Sequence, residues 1–164
     1  MKVDLEGNLV QGDLKPTSET PMHTDIYKVR DDVNAVVHAH PSVCTGFACA
    51  RVPLDYSVDP EIIVMVGEIP LIEYVTPTTK ELAEKVAEYA KGYDALLLAS
   101  HGTITLGANL EQAYQRTEHL ENFAKILLVS KLLGGPTSLP KMEIEKLKGL
   151  KSIEYRVKLA KELK

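Results

Sequence analysis

Apolar residues recur along this chain with two periods, one typical of amphipathic helices and one typical of buried strands. In TTKELAEKVAEYAKG, Leu82, Val86 and either Tyr89 or Ala90 fall on one helical face. A threonine stands in the capping position ahead of that stretch, and Gly92 follows it as a stop signal. In DALLLASHG a run of apolar residues ends in polar ones, which predicts an apolar strand followed by a turn. The chain therefore alternates between helices and buried strands.

The remaining elements follow from the same two patterns and from their Gly and Pro boundaries. They are a helix from the SETP stretch to about Arg30, a buried strand from Asn34 to His40, a short helix in PSVCTGFACAR, strands in IIVMVG, PLIEYV and TITLG, a long helix ended by Gly134 and Gly135, and a charged amphipathic helix over residues 141–163. Strands that alternate with helices predict a layered α/β domain, but this pattern does not set the order of the strands.

Length and composition predict one domain and argue against several classes of partner. The 164 residues are 45% hydrophobic, which is enough to bury a core, so we expect a single domain over residues 1–164. With 19 Lys and Arg against 23 Asp and Glu, we expect no basic surface for nucleic acid or an anionic membrane. No apolar stretch approaches the roughly 20 residues of a membrane span, and the amino-terminal residues lack a signal-peptide core. We therefore expect a cytoplasmic protein.

The two cysteines, Cys44 and Cys49, match neither a disulfide framework nor a CxxC motif. We expect both to pack as small apolar residues.

The segment VNAVVHAHP brings two histidines to the end of a predicted strand. Strand side chains alternate between faces, so His38 and His40 point to one side while Ala39 points to the other. A catalytic zinc site usually takes three protein ligands, so this pair is a sensible but incomplete ligand set. The alternative is that both are ordinary strand-end side chains.

A third histidine, His101, stands at the polar end of the ALLL strand and directly before Gly102. The missing side chain of a glycine lets another group approach the backbone closely. A turn histidine is the alternative, but two strands that each end in histidine favour a shared site. His23 and His119 fall inside predicted helices, where we expect them on the surface or in helix packing.

Hydroxyl and carboxylate side chains precede the first predicted helix in LKPTSETPMH. Thr17, Ser18 and the free N–H groups of a helix N-terminus form a ready anion site, and Glu19 can serve there as a ligand or a base. The alternative is an ordinary helix cap followed by an acidic residue in the first turn.

The stretches PTSE, NAVVHAHP and ASHG, taken in this order and spacing, resemble the class II aldolase/adducin family. The resemblance covers about residues 4–135, with residues 136–164 as a helical tail. It implies a three-layer α/β/α fold around a central mixed, mostly antiparallel sheet. Family members have an upstream segment with a Gly-Asn-x-Ser stretch and a Ser/Thr-Gly loop. Because neither is found here, we expect the amino-terminal part of the usual domain and half of its phosphate pocket to be absent.

The resemblance also implies a set of site residues. His38, His40 and His101 would bind Zn²⁺ or another divalent metal, and Glu19 would be both a fourth ligand and the catalytic acid/base. Thr17 and Ser18 would bind the substrate phosphate. Tyr56 lies in roughly the region of a family tyrosine that donates a proton from a neighbouring subunit of a homotetramer.

The implied function is zinc-dependent cleavage of a ketose 1-phosphate of the L-fuculose 1-phosphate type to dihydroxyacetone phosphate and an aldehyde. The metal would polarise the carbonyl and stabilise the enediolate. The alternatives are a sugar-phosphate 4-epimerase or dehydratase on the same scaffold, and a truncated metal-binding form without full activity. The epimerases typically carry Asp where this chain has Glu19, which favours the aldolase.

Overall fold

The computed structural model describes residues 1–150, and residues 151–164 lie outside the described part. The strands are β1 Lys2–Val3, β2 Leu9–Gln11, β3 Ala35–Ala39, β4 Leu71–Ile72, β5 Ala95–Leu98 and β6 Gly102–Gly107. The helices are α1 Thr20–Val29, α2 Ser42–Ala50, α3 Pro60–Met65, α4 Lys80–Ala90, α5 Leu110–Leu132 and α6 Lys141–Lys148, with a short 3₁₀ helix at Tyr56–Val58.

Four strands form the central sheet in the order β3-β6-β5-β4. β6 pairs antiparallel with both β3 and β5, and β4 pairs parallel with β5. The sheet is therefore mixed and mostly antiparallel, as predicted. β1 and β2 form a separate antiparallel ladder, which the hydrophobic pattern did not predict.

The side chains of β5 divide the core into two halves. Ala95 and Leu97 pack with the buried residues of α2, α3 and α5, whereas Leu96 and Leu98 pack on the opposite face with those of α1 and α4. All four side chains are buried, because a strand covered by helices on both sides exposes neither face. The predicted three-layer α/β/α arrangement is confirmed.

The predicted helices at α1, α2, α4 and α5 are present. Thr79 caps α4 through its side chain, which accepts a hydrogen bond from Leu82 N, and Pro21 lies in the first turn of α1. The glycines after α5 both take a left-handed φ, 113° at Gly134 and 106° at Gly135, so they end the helix as expected. In the part of the chain that the structure describes, no helix combines the length and the apolar character needed to cross a membrane. The final predicted helix, over residues 141–163, is seen as α6, which ends at Lys148 with Gly149 as its C-cap. Residues 151–163 of the predicted range lie outside the described residues.

The strand predicted in IIVMVG is wrong, because these residues belong largely to α3. The Asp59 carboxylate accepts hydrogen bonds from Glu61 N at 2.7 Å and Ile62 N at 3.2 Å, and Pro60 holds the first helical position. A short apolar run is compatible with either a strand or a helix, and here the cap decides between them. In PLIEYV the strand is shorter than predicted and comprises only Leu71–Ile72.

The two cysteines differ in their surroundings. Cys44 is fully buried in the core on the α5 side of the sheet, as predicted. Burial raises the pKa of its thiol well above the usual range, with the neighbouring Glu121 carboxylate acting in the same direction. Cys49 is exposed, so the expectation that both cysteines pack in the core is wrong for this residue. It lies on the outer face of α2.

An ion-pair cluster joins several elements at the beginning of β5. The Asp94 carboxylate forms ion pairs with Arg30 Nη2 and with Arg116 Nη2, each at 2.9 Å. Arg30 also donates to Ala90 O at 2.8 Å, which satisfies a carbonyl at the end of α4. The cluster therefore ties the ends of α1 and α4 to β5 and to the amino-terminal part of α5.

We expect Asp94→Asn to lower the free energy of unfolding by about 2 kcal/mol, because two largely buried guanidinium groups lose their shared carboxylate. Urea unfolding at pH 7 measures the change. The control is Asp31→Asn, which removes one exposed carboxylate and should change the free energy by less than about 0.5 kcal/mol. Equal stabilities of the two variants would show that the cluster contributes nothing.

Candidate metal centre

The histidines of β3 converge as the strand period requires. His38 lies within β3 and His40 follows its last residue, so both side chains leave the sheet on the same side. Their ring centroids are 4.9 Å apart, and their Nε2 atoms face each other at 3.2 Å. This arrangement would allow the two imidazole nitrogens to bind one ion together.

His101 reaches the same point from a different strand. β3 and β5 both pair antiparallel with β6, so they run parallel to each other and their carboxyl ends meet at one edge of the sheet. His101 lies in the turn after β5, and its ring centroid is 4.8 Å from that of His38 and 5.2 Å from that of His40. The predicted shared site is therefore present as a cluster of three rings.

The spacing of the cluster suits a divalent cation. One ligand atom from each of the three histidines lies within 4.8 Å of the other two. Tetrahedral zinc with Zn–N bonds of about 2.0 to 2.1 Å separates its ligand nitrogens by about 3.3 Å. The observed Nε2–Nε2 distance of 3.2 Å matches that separation. Three neutral imidazoles form a donor set that zinc prefers.

Hydrogen bonding orients His38 for such a role. Its Nδ1 lies 2.9 Å from the carbonyl oxygen of Thr103, to which only a protonated Nδ1 can donate. That tautomer leaves Nε2 as the free lone pair, which is the usual arrangement of a metal-binding imidazole. Burial lowers the pKa of His38, and the bond to Thr103 opposes this effect. The ring is thereby favoured in the neutral form that binds metals.

His101 carries a polar atom without a protein partner. Its Nδ1 is buried and makes no hydrogen bond among residues 1–150. Burial lowers the pKa of His101, while the Glu19 carboxylate opposes this effect. A buried imidazole nitrogen without a partner is costly unless something else binds it, so this atom supports the fit of a cation or a substrate group to the cluster.

Gly102 makes the close approach of β3 to the turn after β5 sterically possible. A Cβ atom at this position would collide with the carbonyl oxygen of Ala39 and with the ring of His40. The sequence predicted that another group approaches this glycine, and the structure shows that the group is the end of β3.

The turn before His101 has a support that the sequence did not reveal. Ser100 has a left-handed φ of 55°, and its N–H donates to Ala48 O at 3.2 Å. Its hydroxyl accepts a hydrogen bond from Arg51 Nη1 at 2.6 Å. The end of α2 therefore fixes the turn that carries His101.

Glu19 lies beside the cluster without belonging to it. It stands at the N-cap position of α1 but makes no capping hydrogen bond with its side chain, so its carboxylate is not used by the helix. It opposes the effect of burial on the pKa of His101 and also of His23, one helical turn further along. The three-histidine group does not include it. The prediction that Glu19 acts at this site is compatible with its position, and its role as a metal ligand stays a prediction.

The sequence model of the class II aldolase and adducin N-terminal domain matches residues 1–128. The chain belongs to this family. The match agrees with the predicted range of about residues 4–135.

Curated relatives and a solved structure agree with this assignment. An L-fuculose phosphate aldolase of Methanococcus maripaludis is 42% identical over 123 residues, which are 75% of this chain and 66% of that protein. A 3-oxo-tetronate 4-phosphate decarboxylase of Pectobacterium atrosepticum is 35% identical over 133 residues, which are 78% of this chain and 60% of that protein. A solved L-fuculose 1-phosphate aldolase superposes with a TM-score of 0.82 at 39% identity, covering 89% of this chain and 68% of that one.

The chain spans less than two thirds of the length of both curated relatives. The predicted family is confirmed, and the relatives named as L-fuculose phosphate aldolases agree with the prediction of a class II aldolase. Class II aldolases are metal-dependent, and the histidine cluster is suited to a metal ion.

The other predicted site residues of this family member lie outside the cluster. Thr17 and Ser18 are exposed and precede Glu19, the N-cap residue of α1. Tyr56 is half-buried and packs towards α6, where Lys148 Nζ lies 5.8 Å from the centroid of its ring. The roles of these three residues in phosphate binding and proton donation stay predictions.

His23 and His119 also lie outside the three-histidine group. His23 is half-buried on α1, and His119 Nδ1 lies 3.7 Å from the Glu61 carboxylate. Both positions agree with the expected surface or packing roles.

We expect Gly102→Ala to lower the free energy of unfolding by about 2 kcal/mol, because the added methyl group forces β3 and His40 away from β6. The control is Gly46→Ala in α2, where a Cβ would meet no atom within 4 Å. That substitution should raise the free energy of unfolding by about 0.5 to 1 kcal/mol through its effect on helix propensity. Urea unfolding of the metal-free proteins measures both changes. If Gly102→Ala were as stable as Gly46→Ala, the packing described here would be contradicted.

Proposed function

We propose that this chain is a metal-dependent aldolase that cleaves a ketose 1-phosphate of the L-fuculose 1-phosphate type to dihydroxyacetone phosphate and an aldehyde. The observation that carries the proposal is the convergence of His38, His40 and His101 at one edge of the sheet. The similarity to L-fuculose phosphate aldolases supports the choice of substrate.

The three histidines would hold Zn²⁺ or another divalent cation. Their spacing, the Nδ1 bond of His38 and the burial that favours neutral rings all support this assignment. When bound, the cation supplies a Lewis acid that polarises the substrate carbonyl and stabilises the negative charge formed when the carbon–carbon bond breaks. Glycine at position 102 and the turn at Ser100 keep the rings in place.

Glu19 would move the proton. Its carboxylate lies close enough to affect the ionisation of His101, and it is not engaged in capping α1. A carboxylate placed beside the reacting carbon can accept or return a proton as the electron pair moves. Thr17 and Ser18, exposed ahead of the same helix, would bind the phosphate through their hydroxyls.

The active form would be a cytoplasmic homotetramer in which Tyr56 acts across a subunit boundary. The outer surface of α5 supports self-association, because apolar side chains lie exposed towards its carboxyl end. These are Ile126 at 47%, Val129 at 53%, Leu132 at 78% and Leu133 at 83% exposed.

Decarboxylation of a 3-oxo acid phosphate is a second candidate function. It is supported by the similarity to 3-oxo-tetronate 4-phosphate decarboxylases, at 35% identity in the relative from Pectobacterium atrosepticum. Aldol cleavage and decarboxylation of a 3-oxo acid both break a carbon–carbon bond and leave an electron pair next to a carbonyl. The same cluster and the same carboxylate can therefore serve either reaction. Release of carbon dioxide rather than aldehyde distinguishes the two.

We expect the purified chain to bind one zinc ion per protomer and His38→Ala/His40→Ala to bind none, because a single imidazole cannot hold the ion. Metal analysis after gel filtration measures the stoichiometry. His119→Ala is the matched control, since it removes a histidine outside the cluster and should keep the zinc. An unchanged zinc content in the double variant would show that the ion binds elsewhere.

We expect Glu19→Gln to keep its zinc and to lose turnover of L-fuculose 1-phosphate by about 10²- to 10⁴-fold, because an amide has the shape of the carboxylate but cannot carry the proton. Release of dihydroxyacetone phosphate measures the rate. Glu6→Gln, which changes an exposed glutamate of the amino-terminal region, should be as active as the parent. Parent-like turnover in Glu19→Gln would exclude this residue as the acid/base.

A further inference from the structure

Helix α2 connects two of the three histidines. It begins at Ser42, two residues after His40, and it ends beside the turn that carries His101. Its nine residues span about 13 Å at 1.5 Å per residue. A shift or rotation of α2 therefore moves His40 relative to His101.

The amino-terminal end of α2 has no cap of its own. Pro41 occupies the N-cap position, and its side chain has no group that can accept a hydrogen bond. The missing acceptor comes from α5, where the Glu121 carboxylate accepts Cys44 N at 3.0 Å and Val43 N at 3.2 Å. Glu121 thus satisfies N–H groups of the first turn of α2 from a different helix. It is 78 residues away from Val43 in sequence and 77 away from Cys44.

Glu121 is well placed to hold this helix end. Its side chain is only 16% exposed, and Lys125 Nζ lies 3.6 Å from the carboxylate. A carboxylate at a helix N-terminus also interacts favourably with the positive end of the helix dipole. The contact is therefore a charged hydrogen-bond pair in a largely buried place, where its geometry is well defined.

The opposite end of α2 is fixed as well. The carbonyl oxygen of Ala48 accepts the N–H of Ser100 at 3.2 Å, and Arg51 Nη1 donates to both that carbonyl at 3.0 Å and the Ser100 hydroxyl at 2.6 Å. The carboxyl-terminal anchor thus acts on His101, and the Glu121 anchor acts on His40.

His40 is the ligand that most needs an external support. It lies beyond the last paired residue of β3 and is exposed, whereas His38 is held by Thr103. Within residues 1–150 its ring hydrogen bonds only to His38. Contact with the backbone of Gly102 limits its position on one side. The chain on its other side runs directly into α2.

We propose that Glu121 is a positioning residue for the metal centre, which fixes His40 by tying the first turn of α2 to α5. The inference rests on the proposed metal-binding function of the three histidines. Glu121 itself does not touch the metal or the substrate. Its effect passes through two backbone N–H groups and Pro41 to the imidazole of His40.

The test is a titration of the metal-free chain with Co²⁺, with the dissociation constant and the visible absorption spectrum as readouts. We expect Glu121→Gln to weaken Co²⁺ binding by about 10- to 100-fold, as for other supports of metal ligands, and to alter the spectrum that reports ligand geometry. Glu118→Gln is the matched control, because it makes the same charge change at an exposed position of α5 and should bind like the parent.

The outcomes separate this inference from the proposed function. Co²⁺ binding in the parent with the same affinity and spectrum in Glu121→Gln overturns the positioning role and leaves the metal centre intact, whatever the change in thermal stability. A parent that binds no Co²⁺ overturns both. If Glu121→Gln does not fold, the same titration is made on Pro41→Ser/Glu121→Gln, in which serine caps α2 locally. Parent-like binding by that variant overturns the role of the tie to α5, and weakened binding supports it.

Discussion

The candidate site depends on the position of β6 between β3 and β5. Because β6 pairs antiparallel with both neighbours, the two strands that end in histidine run in the same direction and end at the same edge of the sheet. Main-chain hydrogen bonds hold this register, with Ala39 opposite Thr103 and Leu98 opposite Gly102. The geometry of the histidine cluster is therefore a consequence of strand pairing, and the side chains add only the final orientation.

Charged groups and imidazoles lie at opposite ends of β5. Its amino end carries the Asp94 cluster with Arg30 and Arg116, and its carboxyl end leads to His101. The four residues of the strand separate these ends by about 13 Å at about 3.3 Å per residue. Strong ion pairing stays at one end of the sheet. At the other end, burial favours neutral imidazoles, and Glu19 is the carboxylate whose charge opposes that effect.

Helix α2 adds a second connection between the same histidines. Strand pairing brings His38 and His101 together, but His40 lies past the end of its ladder, where helix packing has to take over. α2 meets this need because its two ends are held by Glu121 and by the Arg51–Ser100 contact. The fold thus fixes three histidines with a sheet on one side and one short helix on the other. Small displacements of α5 would then affect the site through Glu121.

The sequence by itself determined the features that depend on neighbouring residues. Strand alternation placed His38 and His40 on one side, the apolar run of β5 predicted a strand, and Gly134 and Gly135 marked the end of α5. The order of the PTSE, HAHP and SHG stretches also indicated the family, because these short motifs keep their spacing along the chain.

Only the tertiary structure decided the features that join distant residues. It placed His101 beside the β3 histidines, and it showed that Glu121 caps α2 and that Arg51 supports Ser100. It also decided between helix and strand at α3 and left Cys49 exposed. Propensity and periodicity act over a few residues along the chain. Which strands become neighbours, and which side chain reaches across to another helix, depends on the packing of the whole core.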